Sequence, residues 1–293
     1  MEPDSVKLKP IKPALAGYIR ESKSLLGNTA GPDENAIHDI RVLMKKSRAI
    51  MKLAASQLNK EYFERDLHEL REVGRILRSW REASVHRKIL KDLRKVHPDI
   101  LSKLKDNEKL VALMKKTESF QELPEEKKED QTKINSILTK AGYRLRFQSM
   151  NTIDPHLLYR EFELTYAHVV DLFMTCRNRP RPKNLHEFRK KAKDFLYQLN
   201  FFRPLNPPVV KALEKKLDSM TQNLGKFNDL AQLIKTLDYK YPDCANQPFM
   251  DELIVMIRQK QDRYLGKVWP FAYDIFCPGQ KLVNILGFKL LLI

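Results

Sequence analysis

Apolar residues return at intervals of three and four along most of the chain. Ile37, Ile40, Met44 and Met51 form one series, Leu67, Leu70, Val73 and Leu77 a second, and Leu185, Phe188, Ala192, Phe195, Leu196 and Leu199 a third. That is the period of an amphipathic helix with one face turned to a core. The long alternating stretches that would mark strands do not occur. Pro32, Pro98, Pro124, Pro155, Pro180, Pro182, Pro204, Pro207, Pro208 and Pro242 fall between the periodic segments, where helices stop. The most polar stretch, 122–131, reads as a solvated loop or a helix start. The apolar run 282–293 contains a lysine and is too short to span a bilayer. It is expected to dock as a strand or a helix, or to form a ragged end. The pattern as a whole predicts an all-α protein.

The pattern also repeats over about half the chain. Tyr18 and Tyr166 are 148 residues apart, as are His38 and His186, Arg41 and Arg189, and Lys45 and Lys193. A second block matches at an offset of 147, residues 76–84 (ILRSWREAS) against 223–231 (NLGKFNDLA), aligning Leu77 with Leu224, Trp80 with Phe227 and Glu82 with Asp229. Two ordered blocks at nearly one offset predict a duplicated helical unit, one copy in 1–150 and one in 151–293. Each copy has room for about four helices, a stable bundle size. The expected architecture is two tandem four-helix-bundle repeats related by pseudo-two-fold symmetry, with equivalent faces meeting across a shared groove.

Composition narrows the chemistry. The 293 residues carry 54 Lys+Arg and 37 Asp+Glu, a net charge of +17, and the excess is shared by both halves rather than held in a tail. By itself such a charge fits either solubility or a polyanionic partner: nucleic acid, an acidic membrane surface or a phosphate polymer. With 9 glycines the chain has neither G-x-G-x-x-G nor G-x-x-x-x-G-K-[ST], so the usual nucleotide cradles are absent. The three cysteines are few, odd in number and far apart, which excludes a disulfide scaffold and a Cys-rich zinc site and suits a reducing compartment. The first residues lack the apolar core of a signal peptide, so a cytoplasmic location is expected. Seven histidines include no His-x-x-x-His or His-Glu-x-x-His spacing, and no acidic cluster suggests a catalytic metal. Neither a cofactor nor an enzymatic activity is expected.

The charge has a pattern of its own. On a helix over 36–53, His38, Arg41, Lys45, Arg48 and Lys52 fall at i, i+3, i+7, i+10 and i+14, one stripe beside the apolar one. A solvated face mixes signs to gain i,i+4 pairs; this stripe has almost no carboxylate of its own and points to an anion-binding face. The matching helix, 184–202, carries His186, Arg189, Lys190 and Lys193. Asn184 with Glu187 resembles a capping box that sets its start. Each histidine is then expected near a helix start, where open N–H groups and the helix dipole favour phosphate. A third stripe, Arg71, Arg75, Arg78 and Arg81, has Glu69, Glu72 and Glu82 within pairing reach. The second half offers Lys215, Lys216 and Lys226 in its place.

The His-x-x-Arg-x-x-x-Lys helix of each half, and Leu-Gly-Lys-Phe-Asn-Asp-Leu at 224–230, resemble the conserved-histidine α-helical domain, or CHAD, family. His38, Asp39, Arg41, Val42, Lys45, Lys46, Arg48 and Ala49 follow the family pattern. Tyr197 does too, whereas Asp194 and Leu196 stand where basic residues are usual. The resemblance implies two four-helix bundles around a basic groove or pore, non-catalytic binding of inorganic polyphosphate, and association with polyphosphate granules in some members. Taken together with the basic stripes, it makes His38, Arg41, Lys45, Arg48, Lys52, Arg71, Arg75, Arg78, Arg81, His186, Arg189, Lys190, Lys193 and Lys226 the expected polyphosphate-binding residues. The Glu-x-Glu-x-Lys signature of the triphosphate-tunnel domain often fused to this family is absent. Nucleic acid is the second candidate partner, disfavoured because the basic stripes are not interleaved with aromatics for base stacking.

Overall fold

The computed structural model describes residues 8–27, 31–104, 108–115, 125–148, 150, 153–237 and 247–287, and all regular structure among them is helical. In chain order the helices are α1 (Ile11–Leu26), α2 (Glu34–Leu53), α3 (Lys60–Val96), α4 (Pro98–Lys103), α5 (Glu108–Lys115), α6 (Glu125–Phe147), α7 (Pro155–Asn178), α8 (Pro182–Leu199), α9 (Pro207–Leu237), α10 (Gln247–Phe276) and α11 (Leu282–Leu286), with short 3-10 turns at Ala55–Gln57 and Asn200–Leu205.

Local chemistry sets the helix starts. The Asp33 carboxylate accepts from the Ala36 N–H at 2.7 Å, the Asn59 side chain from Tyr62 N–H at 3.2 Å, and the Asp154 carboxylate from His156 N–H at 2.8 Å. Proline opens α4, α7, α8 and α9, at the one position where its missing N–H costs nothing. For α8 this displaces the expected capping box: the helix starts at Pro182 behind an extended Arg181 with no side-chain cap. The Asn184 amide instead donates back to the Arg179 carbonyl at 2.9 Å. Not every proline separates segments. Pro204 lies within the second 3-10 turn and Pro270 within α10. Pro270 and Gly266, whose carbonyl loses its partner there, are both exposed, so water can satisfy that carbonyl.

In the first half α2 packs against α1 and α3, and α6 closes against α1 and α3; in the second, α8 packs against α7 and α9, and α10 against α9 and α7. The halves meet through α2 and α8, with α2 also touching α7, and α3 touching α9. One large core runs through both. Its aromatic centre stacks Phe162 between Phe195 and Phe202, with ring centroids 4.8 and 4.5 Å away. A second cluster joins the far ends of α3 and α9 to α10: Leu90 and Leu93, Leu230 and Leu233, and Leu253 and Ile257 are all buried there. The polar stretch 122–131 becomes the start of α6 from residue 125 onward; Trp80 Nε1 donates to Asp130 Oδ2 at 3.0 Å. Of the apolar C-terminal run, Leu282 and Leu286 are buried on α11, and residues 288–293 lie outside the described residues.

Candidate functional site

The contact between α2 and α8 forms near the C-terminal end of each. The buried Gln198 amide donates to the Ala49 carbonyl at 2.9 Å, and Lys52 Nζ lies 2.6 Å from Asp194 Oδ2. Ala49 is fully buried, and its small side chain lets the amide reach the backbone. Numbering rises along α2 as it falls along α8, so the helices pass in opposite senses. His38 stands 11 residues before Ala49 and His186 12 before Gln198, each roughly 17 Å from the contact along its own axis at ~1.5 Å per residue. The basic stripes therefore converge at their C-terminal ends, with the histidines at the far ends. Each histidine is the fifth residue of its helix, one turn past the open N–H groups on which the expected helix-start site relied.

On α2, His38 is exposed. Arg41 Nη1 donates to the Gly74 carbonyl of α3 at 2.7 Å. Lys45 and Arg48 are half-buried. Burial pushes the Arg48 guanidinium below its ordinary value, nearby Arg71 adds to this, and Asp194 opposes it. Lys52 is ion-paired with Asp194, so the stripe is not as free of carboxylates as the sequence suggested: the counter-charge comes from a different helix.

On α8, His186 Nδ1 lies 2.9 Å from Asn228 Oδ1. Burial, ahead of other influences, lowers the pKa of its imidazole. The Arg189 guanidinium rests on Gly225 of α9, where an added Cβ would meet its Nε and Nη2 at 3.1 Å. In each half, then, the stripe arginine lies against a glycine of the next long helix. Lys190 is exposed and pairs with Glu187 at 2.8 Å. Lys193 pairs with Asp218 at 3.0 Å and sits 5.7 Å over the Tyr197 ring, and burial lowers its pKa. Tyr197 itself is pushed up to about 12 by burial, so the phenol stays neutral.

The α3 stripe is more dispersed. Arg71 and Arg78 are exposed. Arg75 grips Glu72 through two hydrogen bonds of 2.8 and 2.7 Å, and Lys133 adds a third at 3.0 Å; these bonds, Arg75 first, hold the Glu72 carboxyl at about 2. Glu69 pairs with Arg144 rather than with the stripe. The Arg81 side chain lies outside the described residues. Lys226 is drawn 5.6 Å over the Tyr264 ring of α10.

The structure adds cations that single-helix spacing did not single out. One flank of the α2–α8 contact is a cavity of about 480 Å³ whose charged walls are Lys46, Arg203, Lys211 and Lys215 with Glu214 and Asp218. Lys46 lies 5.6 Å over the Tyr18 ring, and Arg203 pairs with Glu214. On the other flank Lys191, pushed down by burial and then by Lys52, joins Arg48 and the Lys52–Asp194 pair. The doublets Lys45-Lys46 and Lys190-Lys191 were the available signal: the second member of each faces this contact, one residue off the stripe. Among the described residues no group of three or more His, Cys, Asp or Glu is placed to hold a metal ion, and no helix is long and apolar enough to cross a membrane. No curated protein matches the chain. The family model that matches it is the CHAD domain, over residues 18–238.

Proposed function

The chain belongs to the CHAD family, and from that premise we propose that it binds inorganic polyphosphate without cleaving it, on the cations gathered where α2 meets α8. The observation that carries this reading is their crowding. Arg48, Lys191 and Lys193 are each partly buried near other cations, and each is pushed toward its neutral form by desolvation. Holding such groups charged costs free energy that a bound polyanion would return. A linear phosphate chain has no base to read, and Arg and Lys suffice to replace its counterions and bond its oxygens.

The halves 1–150 and 151–293 are taken as tandem four-helix units about a pseudo-two-fold axis through the α2–α8 contact. The offset of 148 relates Lys46 to Asp194 and Lys52 to Asn200. Lys52 and Asp194 are bonded to each other, while Lys46 and Asn200 line one cavity. This is the exchange of partners a two-fold axis produces.

The test is binding of fluorescently labelled polyphosphate to the full chain and to the Arg48→Ala/Lys191→Ala variant, with duplex DNA as competitor at matched phosphate and salt. The variant is expected to bind about tenfold or more weakly, and wild-type affinity is expected to fall steeply with salt. Unchanged affinity in the variant sinks the site, equal competition by DNA sinks the specificity, and phosphate release with Mg²⁺ or Mn²⁺ sinks the non-catalytic reading.

A further inference from the structure

A second concave surface lies along α1 and α6. It is a groove of about 580 Å³ with a floor of Ala16, Ile19, Leu138, Gly142 and Leu145. Tyr18, which lines the cavity at the α2–α8 contact, is two residues from both Ala16 and Arg20, so it points to the opposite side of α1. The helices run antiparallel: Lys12 Nζ donates to the Arg146 and Gln148 carbonyls at 3.0 and 2.8 Å, and Gln131 Nε2 to the Leu26 carbonyl at 2.8 Å. Gly142 lets them approach closely, since a Cβ there would lie 3.4 Å from Ile19 Cγ2.

The charged residues that line this groove are Lys12, Arg20, Lys23 and Arg146, and no carboxylate lines it. Lys12 caps the end of α6, which leaves three cations facing outward. At its end stand two of the more exposed apolar side chains, Tyr143 at 61% and Phe147 at 73%, with rings 5.0 Å apart. An apolar trough about three helical turns long between two antiparallel helices is the shape that receives the apolar face of a third. The rim specifies the sign of that helix.

We propose that the α1–α6 groove is a docking site for an amphipathic helix of a partner protein, with apolar residues at i, i+3/i+4 and i+7 and Asp or Glu on its flanks. Charge complementarity selects this occupant. A second copy would bring the same cationic rim and a net charge of +17 against it. A bilayer would take up the exposed Tyr143 and Phe147 rings but leave the concave floor unfilled. The site is independent of the polyphosphate reading.

The experiment uses the full chain and a fluorescein-labelled amphipathic peptide of about four helical turns, with Leu on one face and Glu on its flanks. A control peptide carries Lys in place of Glu. Two variants probe the groove: Thr139→Trp, which fills it from an exposed lining position, and Arg20→Glu/Lys23→Glu, which reverses the charge of the rim and leaves the core untouched. The Glu peptide is expected to bind saturably, the Lys peptide not to bind, and each variant to weaken binding by about tenfold or more with the helical circular dichroism unchanged. The proposal is overturned if the Glu peptide does not bind, or binds both variants as well as the wild type. It is also overturned if the variants abolish retention on phosphatidylglycerol vesicles or a concentration-dependent dimer of the chain.

Discussion

Replacing Asp194 by asparagine separates two roles that a carboxylate in a cationic site plays at once. Asp194 Oδ2 is 2.6 Å from Lys52 Nζ, with side-chain exposures of 16% and 33%, and its charge also reaches Arg48 and Lys191. Asparagine keeps the shape and one acceptor oxygen, so Lys52 keeps a hydrogen bond and loses a counter-charge. At an effective dielectric of ~40, a unit charge about 5 Å away is worth roughly 1.7 kcal/mol before salt and relaxation. A net loss of about 1–2 kcal/mol in stability follows, roughly 2–6 °C in Tm. For a bound phosphate on the order of 7 Å from the carboxylate, the same expression gives about 1.2 kcal/mol of repulsion removed, or about sevenfold tighter binding. Asp194→Asn should therefore melt earlier and bind polyphosphate more tightly. Thermal melts by circular dichroism and anisotropy of labelled polyphosphate at fixed ionic strength read the two effects. Weaker or unchanged binding at a temperature where the variant is fully folded would refute the placement of the ligand beside Asp194.

Three further outcomes are expected. The folded-state pKa of His186 is lowered below its ordinary value of 6.5, chiefly by burial, so the unfolded chain takes up the proton first and this residue's share of stability is lost as pH falls below 6.5; His186→Gln should flatten the drop in urea midpoint between about pH 7.5 and 5.5, and identical pH slopes would count against it. Gly225→Ala places a Cβ 3.1 Å from the Arg189 guanidinium; polyphosphate affinity should fall about threefold while stability holds or rises by up to ~1 kcal/mol, and an unchanged affinity would separate Arg189 from the ligand. Phe162→Ala empties the space between Phe195 and Phe202 and should cost about 3–5 kcal/mol in urea unfolding; a loss under about 1 kcal/mol would mean the stack is not a core element.

The helices were legible because their apolar periods are long, and most of the breaks between them because proline falls there. Asn184 misled because a capping-box spacing also occurs two residues inside a helix that proline has already begun. Pro270 was hidden because a broken hydrogen bond facing water leaves α10 continuous. Asp194 and Asp218 were not legible as counter-ions. A stripe read on one helix reports the charges that helix carries, and these carboxylates reach Lys52 and Lys193 from other helices. Gln198 and Ala49, which fix where α2 crosses α8, sit among apolar neighbours with no period of their own, so the crossing point had no signal in the spacing. The spacing therefore gave the shared groove no position along the stripes, and the histidines stand about three helical turns from the crossing.

The second apolar cluster at the far ends of α3 and α9 has a consequence for cooperativity. Tyr264 packs against both clusters, and α3, α9 and α10 pass through both. The two clusters are expected to behave as two foldons strung on shared helices. The far foldon, with α4, α5 and the start of α10, can open while the α2–α8 contact stays closed. Its opening frays the same α3 and α9 whose other stretches carry Gly74 and Gly225, the seats of Arg41 and Arg189. Amide exchange should resolve two protection tiers, and anion binding at the crossing should raise the upper tier first and reach the lower one through those shared rods.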